Sequence, residues 1–133
     1  MSPSYVYNDG GRADAGLKTQ TDCGIRAVSI ACGISYSESR AMLKTASKNG
    51  KLGSRAIARG IYKEDLSSAL EELGWHWKSA PKISGRKARC SDFSSEGTII
   101  ARQARHFVAV IDGVPHDTWD SSEKMVYGYW QKS

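Results

Sequence analysis

The chain of 133 residues is 40% hydrophobic and 25% charged, with a net charge of +5 and three cysteines. That length fits one domain burying roughly two-thirds of its surface on folding, and excludes an architecture of two large lobes. The near-average composition excludes disordered, collagen-like and coiled-coil classes, and no apolar run approaches the ~20 residues that a bilayer span needs.

The stretch from Met1 to Gly11 is polar, with no apolar segment of the kind a secretory signal carries. An odd, sparse set of cysteines argues against a disulfide scaffold and for a reducing compartment, so a cytoplasmic address with free thiols is expected. The turn signal Asp9-Gly10-Gly11 opens an irregular segment expected to last through Thr21. A helix is predicted to start at the N-cap Asp22 and run through Ile25, Ala27, Val28, Ile30 and Ala31, stopping at Gly33. Ser35-Tyr36-Ser37-Glu38 has capping-box spacing and opens a second helix through Met42, Leu43 and Ala46, ended by Asn49-Gly50. Residues 50–61 read as a Gly-punctuated loop. A third helix covers about 63–73, with Leu66, Ala69, Leu70 and Leu73 on one face and Gly74 as its stop. Trp75-His76-Trp77 alternates like a short strand, with His76 expected to pack, and 78–96 reads as a polar, basic loop. Strands are predicted at 97–103, 106–111, 114–120 and 125–130, and Asp112-Gly113 marks a hairpin between the second and third. Helices followed by strands give an α+β domain spanning 1–133, with the helices packed on an antiparallel sheet.

The charge is uneven. Residues 1–60 hold nine basic and four acidic side chains, whereas 61–133 hold ten of each. The excess lies in Arg40, Lys44, Lys48, Lys51, Arg55 and Arg59, with no acidic residue among them. Spacings of three or four would align such a run on one helical face, although Gly50 and Gly53 are expected to break that helix; the run suits nucleic acid or an acidic partner, or is simply solvated.

Two segments carry chemistry. Asp22-Cys23-Gly24 puts a thiol in the first turn of an apolar helix, where backbone N–H groups and the helix dipole favour a thiolate. The competing reading is a small buried hydrophobe, which suits Cys32 better; Cys90 lies in a basic stretch whose charge would lower its pKa. The second segment runs from His106 to Asp120. A two-residue turn at Asp112-Gly113 makes Ile111 face Val114 and His106 face Trp119, so Asp117 falls on the face of His106 and diagonal to it. A bulge at Pro115 would invert that assignment and bring in Asp120 instead. A helix-capping cysteine facing a histidine with an orienting carboxylate is the Cys-His-Asp arrangement of thiol catalysis. Phosphate-loop, dinucleotide and nucleophile-elbow motifs are absent, and Cys90, His106 and His116 lack paired zinc-ligand spacing, so no cofactor or metal is expected.

Asp22-Cys23-Gly24 resembles the nucleophile motif of bacteriocin-leader (double-glycine) peptidases, and His106-Phe107-Val108-Ala109-Val110 resembles the His-opened apolar strand of that family. Asp117-Thr118-Trp119 is similar to the papain-type Asn-Ser-Trp segment, and Cys23 to Ser29 is similar to the nucleophile region of ovarian-tumour-type deubiquitinases. The chain thus resembles papain-like cysteine peptidases, closest to small phage and bacterial proteins of the leader-peptidase type, over roughly residues 8–36 and 97–130. The resemblance implies a papain-like fold, a peptide or protein substrate, and catalysis by Cys23, His106 and Asp117 in the cytoplasm of a bacterial or phage-infected cell. The family carries a glutamine six residues before the cysteine as an oxyanion donor; here that position is Leu17, and Gln20 is the nearest glutamine. Gln20 with the Cys23 N–H is the expected donor pair, and Lys18 and Thr19 are the other upstream donors. The alternative is a catalytically weak or inactive binding protein of the same fold, using the basic run on an acidic partner or nucleic acid. Acyl transfer to an amine by the same triad is a further reading.

Overall fold

A computed structural model describes residues 4–13, 16, 22–49, 61–80, 82–83 and 86–132. The elements are β1 (Val6–Tyr7), α1 (Cys23–Cys32), α2 (Tyr36–Lys48), α3 (Lys63–Glu72), β2 (Trp75–Ser79), β3 (Lys82–Ile83), β4 (Arg86–Lys87), a 3₁₀ helix (Cys90–Glu96), β5 (Thr98–Gln103), β6 (His106–Ile111), β7 (Val114–Asp117) and β8 (Gly128–Lys132). The fold is α+β. Six strands form one sheet in the order β1-β7-β6-β5-β8-β2, antiparallel except for the parallel β1–β7 edge, and β3–β4 form a separate hairpin.

The helices cover one face. Six consecutive residues of α1, Gly24 to Ser29, are buried, because α1 is wedged between β6 and α2. It packs with Leu43 of α2, Leu66 and Leu70 of α3, Ile100 of β5 and Trp130 of β8 in one apolar cluster. A second cluster on the other face gathers Ile99, Ala101, Val108, Val110 and Tyr129 beneath Phe93 of the 3₁₀ helix and Val126. With both faces covered, β5 reads as a continuous apolar run rather than an alternating one. Among the described residues no helix is long and apolar enough to cross a membrane.

The helix boundaries follow local chemistry. Gly33 takes the left-handed conformation at φ 69° that ends α1. Ser35 Oγ accepts from the Glu38 N–H at 3.1 Å to open α2. Four expectations are corrected. Leu73 leaves the α3 face and is exposed, because the helix ends at Glu72 and the chain turns at a left-handed Gly74. His76 projects to solvent while Trp75 is buried, since β2 is an edge strand with one face on the core. The stretch 78–96 is a short hairpin and a 3₁₀ helix rather than a loop, the latter started by Asp92 Oδ2 accepting from the Arg89 N–H at 2.8 Å. Residues 125–127 stay out of the last strand, which runs from Gly128 to Lys132, because they bond sideways, Val126 N–H to Ala88 O at 2.7 Å and Tyr127 N–H to Arg102 O at 2.8 Å.

Candidate active site

The hairpin β6–β7 sets the geometry. Asp112 and Gly113 adopt φ 52° and 83°, the two positive values of a two-residue type I′ turn. The register that follows is Ile111 with Val114, Val110 with Pro115 and Ala109 with His116, without a bulge at Pro115. Asp117 therefore falls diagonal to His106 on the same face, and its Oδ2 lies 2.6 Å from His106 Nε2. The strand ends there because Asp117 Oδ1 accepts from the Thr118 N–H at 2.7 Å, which bends the chain. That bend lays the Trp119 ring 4.8 Å from the His106 ring.

Packing of α1 along β6 brings Cys23, at the first turn of α1, to His106. Since Nε2 is engaged by Asp117, Nδ1 is the ring nitrogen left for sulfur. Burial pushes the Cys23 thiol up, yet the hydrogen bond with His106, the His106 charge, the Phe107 N–H and the Arg26 charge together bring it below its ordinary value. His106 moves the opposite way. Burial lowers it, but hydrogen bonds to Asp117 and Cys23 and the charges of both raise it above the usual histidine value. Burial likewise opposes ionisation of Asp117, and His106, the Thr118 N–H and Arg26 outweigh it and hold the carboxyl below its usual range. Thiol down and imidazole up is the signature of a thiolate–imidazolium pair.

Behind these three residues lies a buried ion network that no sequence motif announces. Asp22 sits at the N-cap, but its side chain makes no capping bond. Instead its Oδ1 accepts from Arg26 Nε at 3.0 Å and Arg12 Nη1 at 3.1 Å, and its Oδ2 from Tyr36 Oη at 2.8 Å. Arg26 Nη1 in turn donates to Asp117 Oδ1 and, at 3.0 Å, to Thr118 Oγ1. The available signal was Arg26 itself, the one charged side chain in an otherwise apolar or small ten-residue helix. Residues 8–13 lie across α1. The Asn8 N–H donates to Asp117 O at 2.9 Å, and a Cβ on Gly10 would stand 3.1 Å from the Arg26 Cα.

The remaining candidates fall elsewhere. Asp120 is exposed and bonded to Ser4 Oγ at 2.8 Å and the Ser122 N–H at 2.9 Å, away from His106. Cys90 is fully buried and burial drives its thiol up to about 12, which corrects the expectation that basic neighbours lower it. Cys32 is half-buried against the helical core, and burial raises its thiol too. Among the described residues no cluster of three or more His, Cys, Asp or Glu forms a metal site. Arg40, Lys44 and Lys48 are spaced along α2, with both lysines exposed. Lys51, Arg55 and Arg59, together with Leu17, Lys18, Thr19 and Gln20, lie outside the described residues. Comparison of the chain with protein-family models, with curated proteins and with solved structures finds no match.

Proposed function

We propose that this protein is a thiol hydrolase of papain-like fold, a cysteine peptidase or isopeptidase acting on a peptide-type bond. The observation that carries the reading is His106 joined to Asp117 through Nε2 at 2.6 Å while its other side engages the lowered thiol of Cys23. In the proposed cycle the Cys23 thiolate attacks the carbonyl carbon and the carbonyl π electrons move onto oxygen. The Cys23 N–H, with Gln20, the nearest upstream glutamine, in place of the family's glutamine six residues before the cysteine, receives that oxyanion. Collapse breaks the C–N bond as the His106 imidazolium gives its proton to the departing amine, leaving a thioester. His106 then takes a proton from water as the hydroxyl adds to the thioester, and departure of the thiolate restores the start. An amine in place of that water yields acyl transfer by the same steps. Asp117 holds the ring in the tautomer that presents Nδ1 and stabilises the imidazolium.

Alkylation by iodoacetamide tests this reading directly, because burial suppresses Cys32 and Cys90 and leaves Cys23 as the reactive thiol. At about pH 6 Cys23 is expected to react at least tenfold faster than a model thiol, and His106→Ala to abolish that advantage. A rate equal to the model thiol, unchanged in His106→Ala, rejects the catalytic role. Salt-dependent binding of nucleic acid or an acidic protein, retained by Cys23→Ala, would then point to the exposed lysines of α2.

A further inference from the structure

We propose that Arg26 is a positioning residue of this site: through it the helix that carries Cys23 also holds the Asp117 carboxylate in the orientation His106 requires, with Asp22 as its counter-anchor. The inference rests on the thiol chemistry proposed above and extends it to a residue that touches neither sulfur nor imidazole.

The geometry supplies the reason. A carboxylate has two oxygens, and here each has a separate task. Asp117 Oδ2 faces His106 Nε2 at 2.6 Å, whereas Oδ1 accepts from both Arg26 Nη1 and the Thr118 N–H. Turning the carboxylate away from His106 forfeits the Oδ1 bonds as well, so the two donors on Oδ1 fix the direction of Oδ2. Arg26 can serve in this way because it is itself immobile. It is 5% exposed, its Nε is bound to Asp22 Oδ1 at 3.0 Å, and Asp22 is clasped by Arg12 from the N-terminal loop and Tyr36 from α2. The planar guanidinium spans two carboxylates on opposite sides, one beside the nucleophile in sequence and one at the end of β7. A lysine, offering its protons from one point, does not.

Charge supports the same assignment. From Asp22 through Arg26, Asp117 and His106 to Cys23 the ionised groups alternate in sign, so each buried charge has an opposite neighbour. A further titratable group coupled to Asp117 is Cys90 of the 3₁₀ helix, kept neutral by burial with its thiol at about 12. Asp120, which also bears on Cys90, is itself exposed and bonded to Ser4 Oγ and the Ser122 N–H. Arg26 also lowers the Cys23 thiol directly by its charge, so the test separates that direct effect from action through Asp117.

The rate of Cys23 alkylation by iodoacetamide against pH, which needs no knowledge of the substrate, is to be measured for wild type, Arg26→Met, Asp117→Ala and the double variant, alongside thermal unfolding. Arg26→Met is expected to move the thiolate-forming limb to higher pH and slow alkylation at about pH 6 roughly tenfold. On the Asp117→Ala background the same substitution is expected to add less than about twofold. Arg26→Lys, which keeps the charge, should recover only part of the rate. Equal slowing on both backgrounds, or full rescue by lysine, would overturn the proposal in favour of a direct charge effect. If Arg26→Met does not fold, Arg26→Lys and Asp22→Asn decide: an unshifted pH profile in both overturns it. A slow wild-type Cys23 defeats the thiol chemistry as a whole, whereas a fast wild type indifferent to Arg26 defeats this inference alone.

Discussion

The three thiols of this chain differ in their neighbours. Cys32 and Cys90 are raised by burial that their surroundings do not offset, whereas Cys23 has His106, the Phe107 N–H and Arg26 to overcome the same burial. The direction in which each thiol is shifted thus follows from what surrounds it, the helix start and the facing strand for Cys23, not from cysteine count. The residue that precedes His106 shows the opposite side of local design. Arg105 adopts φ 54° in the tight connection between β5 and β6, a left-handed conformation that costs a non-glycine residue roughly 1–2 kcal/mol. Glycine removes that strain but loses about 0.5–1 kcal/mol of its own conformational freedom on folding. Arg105→Gly is therefore expected to raise stability by up to about 1 kcal/mol, read as a higher Tm, with the Cys23 alkylation profile unchanged.

Among elements, the hairpin and α1 divide the labour. The turn at Asp112-Gly113 sets the register that puts Asp117 diagonal to His106, and α1 brings Cys23 and Arg26 to opposite ends of that pair. Strand β8 shows how packing constrains an element from outside its own sequence. Gly128 begins β8 directly under the Trp77 ring of β2, where an added Cβ would meet the ring at 2.2 Å. That ring also packs edge-on against Trp130 at 4.8 Å and lies under Lys63 Nζ at 4.1 Å. Gly128→Ala must displace the indole and lose both contacts, so a destabilisation of about 2–3 kcal/mol is expected, measured as a lower urea midpoint. Strand β5 separates Gly128 from the site on β6 and β7, and the indole carries no charge, so the pH dependence of alkylation in the folded fraction should stay as in wild type. A shift in that profile would mean that β2 and β8 reach the site after all.

For the molecule as a whole, ionisation of the site is linked to folding. His106 is raised on folding, so its contribution is complete below the unfolded value of about 6.5 and is lost as pH rises through the folded one. Asp117 is depressed, so its contribution is complete above an ordinary carboxylate value of about 4 and is lost as pH falls through the folded one. With the thiol removed by Cys23→Ala, the stability margin of His106 over His106→Ala should accordingly peak between about pH 4 and 6.5 and shrink on both sides. Urea midpoints across pH measure it, and a flat margin would contradict the ion-paired description of the site.

How much of this was written in the chain depends on range. The helix starts and stops at Ser35 and Gly33, the hairpin at Asp112-Gly113 and the diagonal pairing of His106 with Asp117 were legible, because turn chemistry and the period of two act over a few residues. Local rules also put Cys23 at the start of a helix. They place Asp22 at the N-cap without showing that its side chain makes no capping bond, and they suggest a charge-lowered thiol at Cys90, since the state of both residues depends on burial by segments far away in sequence. Nothing local pairs β1 with β7 or shows that Arg26 reaches Asp117 across ninety-one positions. By itself, then, the sequence determined the α+β order, the hairpin register that sets Asp117 diagonal to His106, and the place of Cys23 at a helix start. Only the tertiary structure decided that α1 lies along β6, and with it which charges are buried together: a buried charge must find its partner in space, and chain spacing does not specify one.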